Sequence, residues 1–154
     1  IEMKNRKIGF VVLAAIVIAL VLLNRKAVSL TKQNNFDLHP LSSAGYECNS
    51  VIHLHNPNLL SSTIITMDEK YSINGVSLGL LSIELNQGIP GLKETEFPVS
   101  VRFSKADFLK AVDSDSTLPT SINLLVEGEI KYQNLTGNGT IKVYHTENIS
   151  TKGL

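Results

Sequence analysis

The sequence has little of several residues on which many folds and functions depend. Its 154 residues include one cysteine, Cys48, and no tryptophan. A single cysteine excludes an intramolecular disulfide, so burial and backbone pairing must stabilise the fold. We expect Cys48 to be a small buried side chain rather than a reactive thiol. Charged residues make up only 18% of the chain and hydrophobic residues 43%, which excludes a disordered protein.

Positive charge is scarce outside the N-terminal region. Five of the 14 basic residues lie before position 27, whereas only one of the 14 acidic residues does. The rest of the chain is therefore net negative, although the whole has a formal charge of +0. Nucleic-acid binding requires clustered positive charge that neutralises phosphates, so we expect no nucleic-acid partner.

Several motifs of common enzymes are also absent from the sequence. It contains no P-loop and no H-E-x-x-H, and its G-x-S-x-G match, Gly75 to Gly79, lies in the predicted hairpin that begins at Asn74-Gly75 rather than at a strand-to-helix turn. Glu127 and Glu129, with Lys131, are predicted to point outward as a ladder on an open sheet face, which does not bring two carboxyl groups into a cleft. We therefore predict that the protein is not an enzyme and has no catalytic residues and no cofactor.

One pair of histidines has a spacing that could hold a metal ion. His53 and His55 are two positions apart, so both side chains lie on the same face of a strand. A third ligand would have to come from His39, His145 or Glu47. We favour two exposed polar side chains on a solvated face, and hence no metal site.

A single long hydrophobic run occupies residues 8–23 and reads IGFVVLAAIVIALVLL. As a helix it spans about 24 Å, and basic flanks that reach the headgroups extend it toward the ~30 Å hydrocarbon layer. A cleaved signal peptide is the alternative, but Asn-Arg-Lys occupies the place of a small-residue cleavage site. We predict an uncleaved transmembrane anchor in residues 1–26, with anchor residues Ile8, Phe10, Val12, Ile16, Leu20 and Leu23.

The flanking charges say little about the orientation of this anchor. Three basic residues lie on each side of it: Lys4, Arg6 and Lys7 before, and Arg25, Lys26 and Lys32 after. Because the large domain follows the run, we expect its N-terminus in the cytoplasm. The predicted location is the inner (cytoplasmic) membrane, single-pass, with the C-terminal domain on the periplasmic or extracytoplasmic side.

Alternation of apolar and polar residues begins after the anchor. The strongest pattern places Phe97, Val99, Val101 and Phe103 on one side of a strand. Strand-length pieces separated by turn residues every 8–12 positions predict an all-β sandwich or barrel. Further alternating rows are Cys48 to Leu54, Ile65 to Ile73 with an interruption at Glu69, Ile122 to Tyr132, and Ile141 with Val143.

One short helix interrupts the predicted strands. Ser104 can cap it with Asp107 at the third position, and Phe108, Leu109 and Val112 form its apolar stripe. The predicted organisation is an anchor in residues 1–26, a polar stalk in 27–35, a β domain in 36–146 and a C-terminal tail in 147–154.

Three motifs resemble a known family when taken in order. Asn56-Pro57-Asn58 ends one strand, Asp68 lies in the next, and Asn74-Gly75 begins a hairpin that continues to Gly79. This order is similar to the late-embryogenesis-abundant type 2 (WHy) domain, over about residues 36–145. The resemblance implies an immunoglobulin- or fibronectin-III-like antiparallel sandwich of about seven strands, without catalytic residues and often behind one membrane helix. The Asn-, Ile- and Lys-rich composition favours a bacterial source.

These observations predict a structural or accessory subunit at a membrane. Its expected partners are the lipid bilayer and other membrane proteins. One alternative is a lipid-binding or lipid-transfer module, in which Phe97, Phe103, Ile122 and Tyr132 line a cavity for an acyl chain. Another is a stress (desiccation) protection protein.

Overall fold

In the residues that the structure describes, an N-terminal helix precedes seven strands, and a short second helix lies between the fifth and sixth strands. The structure is a computed structural model that describes residues 2–41, 45–113 and 117–154, with side chains from Val11 onward. The helices are α1 (Glu2–Leu23) and α2 (Lys105–Ala111). The strands are β1 (Ser29–Leu41), β2 (Gly45–Asn56), β3 (Ser62–Ile73), β4 (Val76–Ile89), β5 (Lys93–Ser104), β6 (Ser121–Asn134) and β7 (Gly137–Ser150).

The strands form two antiparallel sheets that face each other across one core. One sheet has the order β1-β2-β5 and the other has the order β4-β3-β6-β7. The predicted all-β sandwich of about seven strands with one short helix is confirmed. Its core is built from the predicted alternating rows: Phe97, Val99, Val101 and Phe103 on β5 are at most 6% exposed, as are Ile122, Leu124, Val126, Ile130 and Tyr132 on β6.

Two details of the predicted β3 row are wrong. A shift in register between Ile64 and Thr66 turns Ile64 into the core, where Ile65 had been expected. Glu69 does not interrupt the inward row, because its side chain lies in the core between Met67 and Tyr71 and is only 2% exposed. A bulge adds one residue to a strand, so a simple two-residue period cannot be carried across it.

The segment predicted as a polar stalk, residues 27–35, belongs to the sandwich. β1 begins at Ser29, opposite His55 of β2, and Gln33 is 3% exposed. Two register shifts along β1 obscure its alternation, and backbone pairing rather than apolar side chains defines the strand. The predicted tail in residues 147–154 is likewise partly structured, because β7 continues to Ser150 and the Thr151 amide donates to the carbonyl of Thr120.

The helix predicted from the hydrophobic run is present as α1. Its side chains from Val11 to Leu23 are apolar on all sides of the helix and mostly exposed. The anchor residues Val12, Ile16, Leu20 and Leu23 are 36–52% exposed, and the side chains of Ile8 and Phe10 lie outside the described part. Across the described chain, no helix combines the length and hydropathy of a membrane crossing, so the transmembrane part of the prediction is not supported there.

α1 and α2 lie at opposite ends of the sandwich. We call the end from which α1 emerges the basal end; it carries the start of β1 and the loops 57–61, 90–92 and 135–136. The distal end carries α2, which Ser104 caps by accepting a hydrogen bond from the Asp107 amide at 3.0 Å, as predicted. Phe108 and Ala111 provide its buried face, whereas Leu109 and Val112 are only partly covered. The Asn74-Gly75 turn has positive φ at both residues, as a tight hairpin requires.

Candidate functional site

The Asn56-Pro57-Asn58 motif lies at the basal end and binds the chain that leaves α1. The carboxamide of Asn58 accepts a hydrogen bond from the Lys26 amide at 2.9 Å and donates one to the Lys26 carbonyl at 2.9 Å. Asn58 thus pairs with both backbone groups of Lys26, as a neighbouring strand would. Asn58 is only 1% exposed, so its carboxamide is shielded from competing water.

Asn56 fixes the conformation of the motif itself. Its amide nitrogen donates to the carbonyls of Leu60 and Ile89, both at 3.0 Å, and its carbonyl oxygen accepts from the backbone and side-chain nitrogens of Asn58 at 3.1 and 2.9 Å. Asn56 is completely buried. One carboxamide therefore joins the 57–61 loop to the end of β4 and orients Asn58 toward Lys26.

Asn24 provides the matching contact from the helix side. It is 1% exposed; its side chain donates to the Leu20 carbonyl at 2.7 Å and accepts from the Leu60 amide at 2.6 Å. The 135–136 loop adds two weaker bonds, from the Asn134 amide group to the Lys26 carbonyl and from the Thr136 hydroxyl to the Asn24 carbonyl. The last turn of α1 is consequently attached to two basal loops. We call this set of contacts the basal junction.

Replacing Asn24 with alanine is expected to loosen the basal junction. The Leu60 amide and the Leu20 carbonyl lose their partner, which costs about 1–3 kcal/mol where the groups stay buried. Spin labels at Ile16→Cys and Tyr144→Cys, in a chain with Cys48→Ala, report the angle between helix and sandwich. We expect a clearly broader distance distribution for Asn24→Ala. Arg25→Ala, whose side chain is exposed, should leave the distribution unchanged; equal widths in the two variants would contradict the contact.

A second group of polar side chains lies inside the core. The Tyr71 hydroxyl donates to Glu69 Oε2 at 2.7 Å, and Gln33 Nε2 lies 3.3 Å from the same oxygen and 3.1 Å from Ser50 Oγ. All four residues are at most 3% exposed. Among the described residues, Glu69 Oε1 and Gln33 Oε1 have no hydrogen-bond partner.

Burial dominates the electrostatics of this group. It raises the pKa of Glu69 above the ordinary 4.5, although the hydrogen bonds from Tyr71 and Gln33 oppose the shift. It also raises the pKa of Tyr71, and the neighbouring Glu69 adds to this effect. A carboxyl group with a raised pKa is a common feature of acid catalysts. Here the surrounding side chains enclose the carboxyl group, which is part of the core and only 2% exposed.

His53, the first of the two histidines singled out by their spacing, is buried against other polar side chains. His53 is 4% exposed, which corrects the expectation of a solvated side chain. Its two ring nitrogens face Asn34 Oδ1 at 2.9 Å and Glu94 Oε1 at 3.2 Å. Within the described part of the chain, no three His, Cys, Asp or Glu side chains are placed to share a metal ion.

The residues considered as third ligands are engaged elsewhere. His39 Nε2 lies 3.1 Å from Glu47 Oε2, and this pair is about 20 Å from His53 along β2. The Arg102 guanidinium also bonds Glu47 and lowers the pKa of its carboxyl group. His145 lies 2.9 Å from Glu147 and stacks on the ring of Phe36.

The other residues singled out in the sequence are buried, paired with neighbouring side chains or packed between strands. Burial raises the pKa of the Cys48 thiol to about 12, which agrees with an unreactive side chain. Glu129 accepts from Lys142 Nζ at 2.7 Å on the outer face of β6, as expected for a cross-strand ladder. Asp68 accepts from the Ser82 hydroxyl. A Cβ atom at Gly79 would lie 3.3 Å from the Arg102 carbonyl, so this glycine lets β4 approach β5 closely.

The side chains proposed to line a lipid cavity belong to the packed core. Phe97, Phe103, Ile122 and Tyr132 are 3–5% exposed and form part of one contiguous cluster with the other buried apolar residues. Their positions therefore give no support to an acyl-chain cavity.

A family model matches most of the sandwich. The family model described as "Late embryogenesis abundant protein" matches residues 51–147, which extend from β2 into β7 and include the Asn56-Pro57-Asn58 motif. The chain belongs to the late embryogenesis abundant type 2 (LEA_2) family. No curated protein sequence matches it.

Solved structures share the LEA_2 fold at low sequence identity. A solution structure described as a late embryogenesis abundant (LEA) protein has a TM-score of 0.66 at 18% identity, covering 100% of this chain and 88% of that one. A protein from Arabidopsis thaliana has a TM-score of 0.67 at 15% identity, with coverages of 85% and 94%. A protein from Archaeoglobus fulgidus has a TM-score of 0.61 at 11% identity, with coverages of 82% and 100%. At these identities the likeness concerns the fold.

Two of the features described above are not predicted by the sequence pattern. Asn56-Pro57-Asn58 has the pattern of a turn that ends a strand, but two of its side chains are buried hydrogen-bonding groups. Glu69 has the pattern of an interruption in an inward row. The available signal for Glu69 was its position, two residues from each of two inward residues, Met67 and Tyr71.

Proposed function

We propose that this LEA_2 protein is a non-enzymatic, single-pass membrane protein whose N-terminal helix presents the sandwich in a fixed pose. In this proposal α1 lies in a bilayer, and the sandwich is a structural or accessory module that binds other membrane proteins. The proposed location is the inner (cytoplasmic) membrane, with the domain on the periplasmic or extracytoplasmic side.

The surface of α1 is the observation that carries the proposal. Ten of its side chains between Val11 and Leu23 are large, hydrophobic and 36–66% exposed. A helix that is hydrophobic all round requires an apolar environment, because water would face most of that surface. Residues 11–23 alone span about 20 Å, so the proposal also requires the apolar residues 8–10 to approach the bilayer thickness.

The basal junction supports the structural part of the proposal. A passive tether would need no buried contacts between the anchor and the domain. Here Asn24, Asn56 and Asn58 join the end of α1 to the loops of the sandwich through buried hydrogen bonds. The arrangement suits a protein whose domain must face a membrane-bound partner in one orientation.

The absence of enzymatic activity is part of the same proposal. The buried carboxyl group with a perturbed pKa, Glu69, is enclosed by its neighbours and 2% exposed. His53, one of the two histidines at metal-binding spacing, has its ring nitrogens facing Asn34 and Glu94.

Insertion of a charge into α1 tests the membrane assignment. Ile16→Arg places a guanidinium near the middle of the hydrophobic run, which costs about 3 kcal/mol in a membrane-spanning helix, or about a hundredfold in the insertion equilibrium. We expect the native chain to stay with membranes after alkaline carbonate washing and the Ile16→Arg chain to be released. Leu80→Arg, on the outer face of β4, is the matched control and should stay bound. Release of the native chain would contradict the proposal.

Stress protection is a second candidate, favoured by the family itself. It would act through the sandwich rather than through the anchor. Drying cells that express either the native chain or Ile16→Arg distinguishes the two: protection that survives release from the membrane supports this candidate, whereas protection lost with it supports a membrane role.

A further inference from the structure

Four exposed leucines are concentrated at the basal end of the sandwich. Leu59 and Leu60 lie in one loop, Leu92 in a second and Leu135 in a third, with exposures of 49%, 44%, 63% and 55%. In the described residues beyond α1, the other large hydrophobic side chains with such exposure are Leu80 and Tyr144, on the faces of strands. We call Leu59, Leu60, Leu92 and Leu135 the basal leucines.

The basal leucines surround the point where α1 leaves the domain. The Leu60 amide donates directly to Asn24, the residue that follows the last residue of α1. Thr136, next to Leu135, donates to the Asn24 carbonyl, and the Leu92 amide donates to the carbonyl of Asn58, which binds Lys26. The 57–61 and 135–136 loops therefore bond directly to the residue that follows α1, and the 90–92 loop is connected to Lys26 through Asn58.

Cations outnumber acids next to these loops. Residues 57–61, 90–92 and 135–136 contain no charged residue. The cations Arg25, Lys26 and Lys93 flank them with exposed side chains. Glu94, the acid that follows Lys93 in the sequence, bonds the Thr31 hydroxyl at 2.8 Å and lies 3.2 Å from His53. Apolar loop tips beside free cations suit the headgroup region of an anionic bilayer, where leucines reach the acyl chains and cations meet phosphates.

We propose that the basal leucines form a second contact with the bilayer that holds α1, so that the sandwich rests on the membrane with its base in the headgroup region. The inference rests on the proposed function, since α1 brings the loops to the membrane. Beyond the proposed function, the inference names the partner of the basal leucines, which is a lipid surface containing anionic headgroups. The basal junction gives the contact its geometry, because it fixes the three loops around the helix end.

Site-directed probes in the full-length chain test this contact. Cys48 is buried, so a single introduced cysteine at Leu92, Leu135 or Leu80 can be labelled selectively with an environment-sensitive fluorophore. The proteins are placed in vesicles of equimolar phosphatidylcholine and phosphatidylglycerol that carry nitroxide quenchers at the headgroup level. We expect quenching at Leu92→Cys and Leu135→Cys to exceed that at Leu80→Cys several-fold. Leu80 is the matched control because it is 75% exposed but lies on the outer face of β4.

A probe within α1 separates the failure of this inference from that of the proposed function. If Ile16→Cys is quenched by nitroxides deep in the acyl region but the basal probes match Leu80→Cys, α1 is inserted and the basal contact is overturned. If Ile16→Cys is not quenched, the membrane assignment itself fails. Basal probes that are shielded from water but not quenched by lipid would indicate a second copy of the chain and also overturn the proposal.

Replacement of the leucines provides the second test. The variant with Leu59, Leu60, Leu92 and Leu135 all changed to serine keeps α1 and the hydrogen bonds made by the loop backbones. The probe is placed at Asn138, which is exposed at the start of β7 beside the 135–136 loop. We expect quenching of this probe by headgroup nitroxides to fall several-fold relative to the chain that keeps its leucines. Quenching of Ile16→Cys by deep nitroxides should be unchanged. Unchanged quenching at Asn138 would contradict the contact.

Discussion

Replacing Asn56 with alanine is expected to lower the free energy of unfolding by about 3 kcal/mol, which shifts the melting temperature by roughly 10 °C. The change removes four hydrogen bonds from a completely buried carboxamide. The carbonyls of Leu60 and Ile89 then lack the hydrogen bond from Asn56 in a site that is shielded from water. Thermal unfolding in detergent, followed by circular dichroism of the strands, measures the effect.

Asn148→Ala is the matched control for this change. Its carboxamide donates to Asn123 on the exposed face of the β6–β7 pair, so its removal should change stability by no more than about 0.5 kcal/mol. Equal melting temperatures for Asn56→Ala and Asn148→Ala would show that the buried carboxamide adds no stability. The role assigned to the Asn56-Pro57-Asn58 motif would then be wrong.

Replacing Glu69 with glutamine is expected to stabilise the protein at neutral pH. Burial raises the pKa of Glu69 in the folded state above the ordinary 4.5. The folded state therefore favours the protonated carboxyl group, and this contribution is fully present below about pH 4.5 and is lost as the pH rises through the folded pKa. Glutamine is neutral at every pH and keeps an acceptor for the Tyr71 hydroxyl.

The signature of Glu69→Gln is its dependence on pH. The gain in stability should be small at pH 4, should grow above it, and should level off beyond the folded pKa, at about 1.4 kcal/mol for each unit by which the pKa is raised. Unfolding by urea from pH 4 to pH 8 measures this curve. Glu129→Gln is the control with the opposite sign, because Lys142 lowers the pKa of Glu129 and stabilises its charged form. A pH-independent effect of Glu69→Gln would rule out a titrating carboxyl group at this position.

The sheets could be predicted from the sequence to the extent that strand side chains alternate without interruption. β5 pairs with β2, and β6 pairs with β7, without a register shift, and the inward rows of β5 and β6 are the predicted ones. The first part of β1, residues 29–35, was predicted as a stalk because the two register shifts of the strand break the alternation and because Gln33 occupies an inward position. A strand that is defined mainly by backbone pairing shows no clear alternation of apolar and polar residues in its sequence.

The basal junction could not be predicted for a different reason. Asn24, Asn56 and Asn58 are common surface and turn residues, and their burial depends on chain segments more than thirty positions apart. Sequence periodicity carries no information on such contacts. The hydrophobic run of α1, in contrast, is a local property, and its helical conformation was predicted correctly.

The short connection between α1 and β1 determines how far the domain can travel. Five residues separate Leu23 from Ser29, and Asn24 and Val28 among them are buried. A long flexible linker would let the domain sample a large volume and raise its encounter rate with targets at different distances. This protein lacks that freedom at its N-terminal side. In the proposed membrane placement, the domain therefore engages only targets at one height above the bilayer, and the direction of α1 determines which surface of the domain they meet.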